Sequence, residues 1–86
     1  MKDVESLPEN FTENLHRSIG LNVKKEREKK GLSQLQLSQM IGHKSVTIVS
    51  RAEIFYKGQH FNIEHLVKIA FVLDIDIEVL IPKTLV

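Results

Sequence analysis

The chain has no cysteine and no tryptophan, and its 86 residues include only two prolines and four glycines. Without cysteine, disulfides and cysteine-ligated zinc sites are excluded, so the chain is not a disulfide-stabilised secreted domain. No apolar run approaches the ~18 residues that span a membrane, and the acidic start MKDVESLPEN lacks the apolar core of a signal peptide. We therefore expect a cytoplasmic protein with no membrane contact.

The chain has almost no excess of charge of either sign, since its formal net charge is only +1. The charges are nevertheless unevenly distributed: Lys24 to Lys30 reads KKEREKK and residues 44–57 are also basic, whereas residues 1–14 and 62–86 are acidic. Positive charge in the middle of the chain favours a polyanion on one side only. With 42% hydrophobic and 27% charged residues, the composition indicates one small globular domain with a thin core.

Helical spacing of apolar residues runs through most of the chain. An apolar stripe with a period of four predicts a helix from about Thr12 to Lys29, and it consists of Phe11, Leu15, Ile19 and Val23. Gly20 inside this helix costs about 1 kcal/mol relative to alanine, which predicts that another helix passes close by. Gly31 is suited to the left-handed position that ends the helix.

Two short helices follow, separated by Gly42. Ser33 and Gln36 form a capping box that begins the second helix, and Ser45 is an N-cap for the third. On that third helix the spacing directs three apolar residues to the core, namely Val46, Val49 and Ala52. The same register turns Thr47, Ser50 and Arg51 away from the core and leaves Ile48 to one side.

The last third of the chain predicts two more helices after the irregular stretch IFYKGQHF. Asn62 caps a fourth helix whose inner residues are Ile63, Leu66, Val67, Ala70 and Leu73. Asp76 caps a short fifth helix, IEVLI, which Pro82 ends. We expect an N-terminal extension at 1–14, a domain at 15–81 and a tail at 82–86, with the apolar ends packed on the bundle or on a second subunit.

Two short helices joined by a glycine turn form a helix-turn-helix. The region from about Ile19 to Ile81 resembles the phage repressor and Cro type (XRE-like) of helix-turn-helix domain. The likeness rests on Ile19-Gly20, Arg27, Gly31-Leu32-Ser33-Gln34, Leu37, Ile41-Gly42, Glu53, Leu66-x-x-Ile69-Ala70, and Leu73 before Asp76 to Leu80. The resemblance implies an all-α, five-helix bundle of the lambda-repressor-like type, with the helix-turn-helix at helices 2 and 3.

The resemblance also implies a DNA-binding surface, in which the helix after the turn lies in the major groove. Phosphate contacts are then expected from Gln34, Lys44 and His43. The outer face of the recognition helix consists of Ser45, Val46, Thr47, Ser50 and Arg51, of which Arg51 binds a guanine edge or a phosphate. The turn GHKSV is one residue longer than usual, which leaves open whether Lys44 or Val46 begins the reading face and whether Ile48 joins it.

Arg27 and Glu53 match a pair that forms an internal salt bridge in this family, so the resemblance implies a structural role for both. The three aromatic residues of the stretch IFYKGQHF either cover the small core or stack on a base or a partner, and they are Phe55, Tyr56 and Phe61. The four histidines are not spaced i, i+4 and no catalytic constellation is present, so we expect no metal, no cofactor and no enzymatic activity.

Three functions remain open from the sequence. The first is a sequence-specific, double-stranded DNA-binding transcriptional regulator, a repressor acting as a homodimer on a two-fold operator. The second is an antitoxin-like protein-interaction module of the same fold, whose main partner is a protein such as a toxin. The third is a helix bundle that has lost DNA binding. No separate ligand domain is evident, so we expect no small-molecule effector.

Overall fold

The computed structural model describes residues 1–83, and the predicted Thr84 to Val86 end of the tail lies outside this part. The described chain contains four α-helices and no strand: α1 is Phe11–Lys29, α2 is Gln34–Met40, α3 is Thr47–Ala52 and α4 is Ile63–Leu73. Three single turns of 3-10 helix accompany them at Val4–Ser6, Tyr56–Gly58 and Ile77–Val79. The all-α prediction is confirmed.

The predicted fifth α-helix is a single 3-10 turn, Ile77–Val79. Asp76 begins it as predicted, since its side chain accepts the N–H of Glu78 at 3.2 Å. The next backbone bond runs from the N–H of Leu80 to the carbonyl of Ile77, which is the i to i−3 pattern of a 3-10 turn. Pro82 follows too soon for an α-helix to develop, so the five-helix expectation is corrected to four α-helices and a terminal turn.

Helix α1 begins one residue before its predicted start and ends at its predicted last residue, Lys29. It starts at Phe11, so the expected boundary at residue 14 falls inside the helix. Gly31 has a φ of 71° and directly follows the C-cap residue, Lys30, which is the left-handed position that glycine favours. Val4 and Leu7 before the helix are exposed, at 80% and 41%, so these two residues of the apolar N-terminal end do not pack on the bundle.

The capping box of α2 is present in both directions. Ser33 Oγ accepts the N–H of Gln36 at 3.0 Å, and Gln36 Oε1 accepts the N–H of Ser33 at 2.8 Å. Gly42 has a φ of 95° and turns the chain toward α3, as the sequence predicts.

Helix α3 begins at Thr47, one residue later than the predicted N-cap at Ser45 implies. Ser45 still contributes, because its Oγ accepts the N–H of Thr47 at 3.2 Å, but Val46 holds the N-cap position. The prediction that Val46 faces the core is wrong: its side chain is 37% exposed. Val49 and Ile48 supply the apolar contact of the first turn instead.

The core forms between α1, the α2–α3 pair and α4. It is made of Ile19, Val23, Leu37, Ile41, Val49, Ala52, Phe61, Leu66, Ile69, Ala70, Leu73 and Leu80. In α4 the prediction that Ile63 and Val67 face the core is wrong, since they are 69% and 52% exposed. The buried stripe starts at Leu66 and continues at Ile69, which was not among the predicted inner residues.

Gly20 lies against the end of α3, which confirms the predicted close approach. A Cβ atom at this position would lie 2.6 Å from the carbonyl oxygens of Ala52 and Glu53. The backbones of α1 and α3 therefore meet at Gly20, and this contact fixes the end of α3 relative to α1.

Candidate nucleic-acid interface

An ion pair buried between helices fixes the end of α3. Arg27 of α1 and Glu53, the residue after α3, are 6% and 1% exposed. Arg27 Nε lies 2.8 Å from Glu53 Oε2, and Nη2 lies 3.1 Å from Oε1. Arg27 Nη1 also donates to the carbonyl of Leu32 at 2.7 Å, so the same side chain reaches the connection before α2. The hydrogen bond to Glu53 raises the pKa of Arg27.

Gln34 completes this network from the first residue of α2. Its Nε2 donates to Glu53 Oε1 at 2.9 Å, and the side chain is half-buried. The resemblance implies a phosphate contact for Gln34, and its bond to Glu53 was not predicted. Since an amide nitrogen carries two hydrogens, one is left to donate outward. The carboxylate of Glu53 thus connects α1 and α2 to the end of α3.

The outer edge of α3 is polar at its centre and ends in a cation. Thr47 and Arg51 of α3 are exposed, as are Ser45 and Val46 just before it, and Ser50 is half-buried. Ser50 Oγ donates to the carbonyl of Thr47 at 3.3 Å, so its oxygen keeps its lone pairs for a further hydrogen bond. Packing therefore leaves most of this edge exposed.

The longer turn before α3 contributes exposed residues on both sides of Ser45. Lys44 and Val46 both precede the first residue of α3 and both are exposed. Ile48, whose membership of the reading face was open, is half-buried and packs against the core. The predicted phosphate ligand His43 is also half-buried, with its ring 5.5 Å from that of His65.

The loop after α3 places Tyr56 and Lys57 beside this edge. Stacking on a base or a partner was one of the two interpretations left open for Tyr56, and no role was predicted for Lys57. The guanidinium carbon of Arg51 lies 5.4 Å from the centre of the Tyr56 ring, and Lys57 Nζ lies at the same distance. Of the three loop aromatics, Phe61 is in the core, Phe55 is half-buried and Tyr56 is 42% exposed. The aromatic residues beside Gly58 were the only sequence signal for this arrangement.

The histidines form two ring pairs. His16 and His60 stack with centroids 3.7 Å apart, and His43 lies against His65. His65 also caps α4, because its Nδ1 accepts the N–H of Asn62 at 3.1 Å. Burial lowers the pKa of His16, and the neighbouring His60 lowers it further. Burial likewise lowers the pKa of His65, assisted by His43. Among residues 1–83, no group of three or more histidine or acidic side chains is arranged to hold a metal ion.

A family model described as helix-turn-helix matches residues 23–80, which is most of the chain and includes α2, α3 and α4. The chain belongs to the helix-turn-helix family. This match confirms the XRE-like, Cro and repressor type of resemblance, and it supports double-stranded DNA binding and a role in transcriptional regulation. A comparison with curated proteins gives no match. Within the described part of this helix-turn-helix protein, no helix has the length and apolarity needed to cross a membrane.

A separate surface of the helix-turn-helix domain is strongly apolar. Three residues of α4 are exposed on it, Ile63, Val67 and Phe71, the last at 84%. Met40 at the end of α2 borders the same surface, next to Gly42. Single exposed apolar residues need no explanation, but a cluster of this kind is typical of a contact surface.

Proposed function

We propose that the protein is a sequence-specific transcriptional regulator, a repressor that binds double-stranded DNA as a homodimer and has no enzymatic activity. The observation that carries this proposal is the Glu53 network, because Arg27 and Gln34 bind Glu53 at the buried end of α3. The exposed edge of the helix is left free for a partner.

The affinity of this complex comes chiefly from phosphate contacts. Lys44 in the turn is exposed and supplies such a contact, and the first amides of α2 lie beside Gln34. His43 is placed less favourably for phosphate than Lys44, because its ring lies against His65.

Base recognition comes from the outer edge of α3 and from the residues before it. The Thr47 methyl and Val46 suit thymine methyl groups, Ser45 and Ser50 suit several base edges, and Arg51 suits a guanine edge. Arg51 is the residue on this edge that can form a two-point contact with one base.

Selection from a pool of random duplexes tests the proposal. We expect enrichment of one sequence as two half-sites in two-fold symmetry, with centres about 34 Å apart or a multiple of that distance. Lys44→Ala should weaken binding to every duplex and reduce its salt dependence by about one phosphate contact. Lys83→Ala is the matched control, because Lys83 lies beside Phe11 and Asn14 at the start of α1. Absence of enrichment at low salt would contradict the proposal.

A second candidate is an antitoxin-like protein-interaction module, and the apolar surface of α4 favours it. Phe71 and Val67 are too exposed to stabilise the monomer much, so a protein partner or a second subunit would bury them. A stable complex with a different protein of comparable size, lost in Phe71→Ser but not in Arg51→Ala, would favour this candidate over the first.

A further inference from the structure

The loop that follows α3 turns two consecutive aromatic residues in different directions. Phe55 is half-buried, stacks on His16 with centroids 5.8 Å apart, and lies under the guanidinium of Arg17 at 5.0 Å. Tyr56, the next residue, is exposed and lies beside Arg51 at the end of α3. One aromatic ring therefore anchors the loop on α1, and the other contacts the recognition helix.

This arrangement requires an unfavourable backbone. Phe55 and Lys57, on either side of Tyr56, have φ values of 54° and 49°, and Gly58 follows at 79°. Left-handed conformations are uncommon in residues other than glycine, and a bulky aromatic residue adopts one at a cost. Such strain is found where surrounding contacts or a function maintain it. Here the strained segment carries the Tyr56 ring, which lies next to Arg51.

The charges around the ring also indicate a partner. Arg51 and Lys57 each lie 5.4 Å from the centre of the Tyr56 ring, and neither forms a salt bridge within residues 1–83. An aromatic ring attracts a cation and limits its motion without neutralising its charge. The guanidinium therefore stays available to an anion or to the acceptor edge of a base, while its freedom is reduced before binding.

We propose that Tyr56 is a positioning residue, which holds the Arg51 guanidinium at the exposed edge of α3 and so sharpens base discrimination. This inference rests on the proposed DNA-binding function and adds to it a specificity-determining residue outside the recognition helix. Tyr56 acts through Arg51 and makes no base contact of its own. A guanidinium already held in place loses less conformational entropy when it binds.

The test compares Tyr56→Leu, which removes the ring, with Tyr56→Phe, which keeps the ring and removes the hydroxyl. Each variant is titrated with the selected duplex and with duplexes changed at the position where Arg51→Ala loses its preference. We expect Tyr56→Leu to reduce discrimination at that position about two- to fivefold, the equivalent of an exposed cation–π contact. Tyr56→Phe should retain it, and Tyr56→Leu should have no further effect in the Arg51→Ala background.

Several results would overturn the inference. The first is that Tyr56→Leu weakens binding to all duplexes equally, and the second is that Tyr56→Phe reduces discrimination as much as Tyr56→Leu does. The third is that Tyr56→Leu still reduces discrimination in the Arg51→Ala background. The fourth is that Lys57→Ala reduces discrimination as much as Tyr56→Leu does. Thermal unfolding serves as the stability control, and we expect no change because Tyr56 is exposed.

A readout without DNA separates this inference from the proposed function. In the free protein, the Tyr56 ring should displace the Arg51 Nε–Hε NMR resonance, with the displacement kept in Tyr56→Phe and lost in Tyr56→Leu. If the wild-type chain bound no duplex, the proposed function would fail, and this resonance would still show whether the ring holds Arg51. A resonance that is the same in Tyr56→Leu and wild type would overturn the contact itself.

Discussion

The guanidinium of Arg27 holds the carboxylate of Glu53 in a two-point ion pair, with N to O distances of 2.8 and 3.1 Å. Glu53 is the residue that follows α3, so this pair connects the recognition helix to the middle of the bundle. Replacing a buried ion pair by apolar residues is often neutral, whereas removing one partner leaves a charge without compensation. The pair therefore matters most for where α3 is held.

Arg27→Met should lower the free energy of unfolding by about 3 to 5 kcal/mol, because Glu53 would keep only the Gln34 amide as a side-chain partner among residues 1–83. Urea denaturation followed by circular dichroism measures this loss. The double variant Arg27→Met/Glu53→Met should recover a large part of it. A single variant as stable as the wild type would show that the pair does not stabilise the fold.

Gly20→Ala should destabilise the protein, although alanine is the better helix former. The added methyl group would lie 2.6 Å from the carbonyl oxygens of Ala52 and Glu53, and both are backbone atoms that cannot rotate away. Overpacking of this kind costs about 1 to 3 kcal/mol. Thermal unfolding measures it, with Leu21→Ala on the exposed side of the same helix as the control. A raised melting temperature in Gly20→Ala would contradict the close contact.

Ser38→Ala should leave stability unchanged or raise it by up to about 1 to 2 kcal/mol. Ser38 is fully buried in α2, and its Oγ has no hydrogen-bond partner among the described residues. Removing a buried hydroxyl that lacks a partner removes its desolvation cost, and alanine also has the higher helix propensity. Chemical denaturation at equilibrium decides the sign, and a clear loss of stability would show that the hydroxyl is bonded in the folded state.

Stability should fall as the pH is lowered below about 6.5, in part because of His16. Its pKa is lowered from 6.5 in the folded protein, mainly by burial, so the unfolded chain takes up the proton first. The stability present above pH 6.5 is then lost as the pH falls through the lowered value. The unfolding free energy, measured between pH 7.5 and 5.5, reports this loss.

His16→Phe is the variant that isolates this contribution, since it keeps a ring against Phe55 and His60 and cannot take up a proton. We expect a shallower pH dependence, and a shallower one still when His65→Gln is added, because glutamine preserves the acceptor for the N–H of Asn62. A pH profile identical to the wild type in both variants would contradict the role of these histidines.

Local signals predicted much of the fold, and contacts between distant residues account for what was missed. The caps at Ser33 and Asn62 depend on residues three positions away, so a short stretch of sequence is enough to predict them. The bond from Gln34 to Glu53 joins residues 19 apart and has no local signature. The α4 register was shifted for a related reason: Ile63 and Val67 satisfy helical spacing, but tertiary packing buries Ile69 instead.

The candidate site shows the same division. The family resemblance supplied the ion pair, helical spacing supplied the outward direction of Thr47 and Arg51, and packing agrees with both. It did not supply the start of α3, because the turn before that helix has its own length. Nor did it indicate Tyr56, whose position depends on left-handed backbone at Phe55 and Lys57 that no residue pattern signals.

The central claim is that the exposed edge of α3 reads DNA sequence, and a base-by-base binding profile of Arg51 variants on the selected duplex tests it most directly. Arg51→Lys keeps the charge but loses the two-point contact, so it should preserve the salt dependence while preference at one position per half-site falls by about 1 to 3 kcal/mol. Arg51→Ala should lose the same preference. Profiles with unchanged preference at every position in both variants would contradict the account.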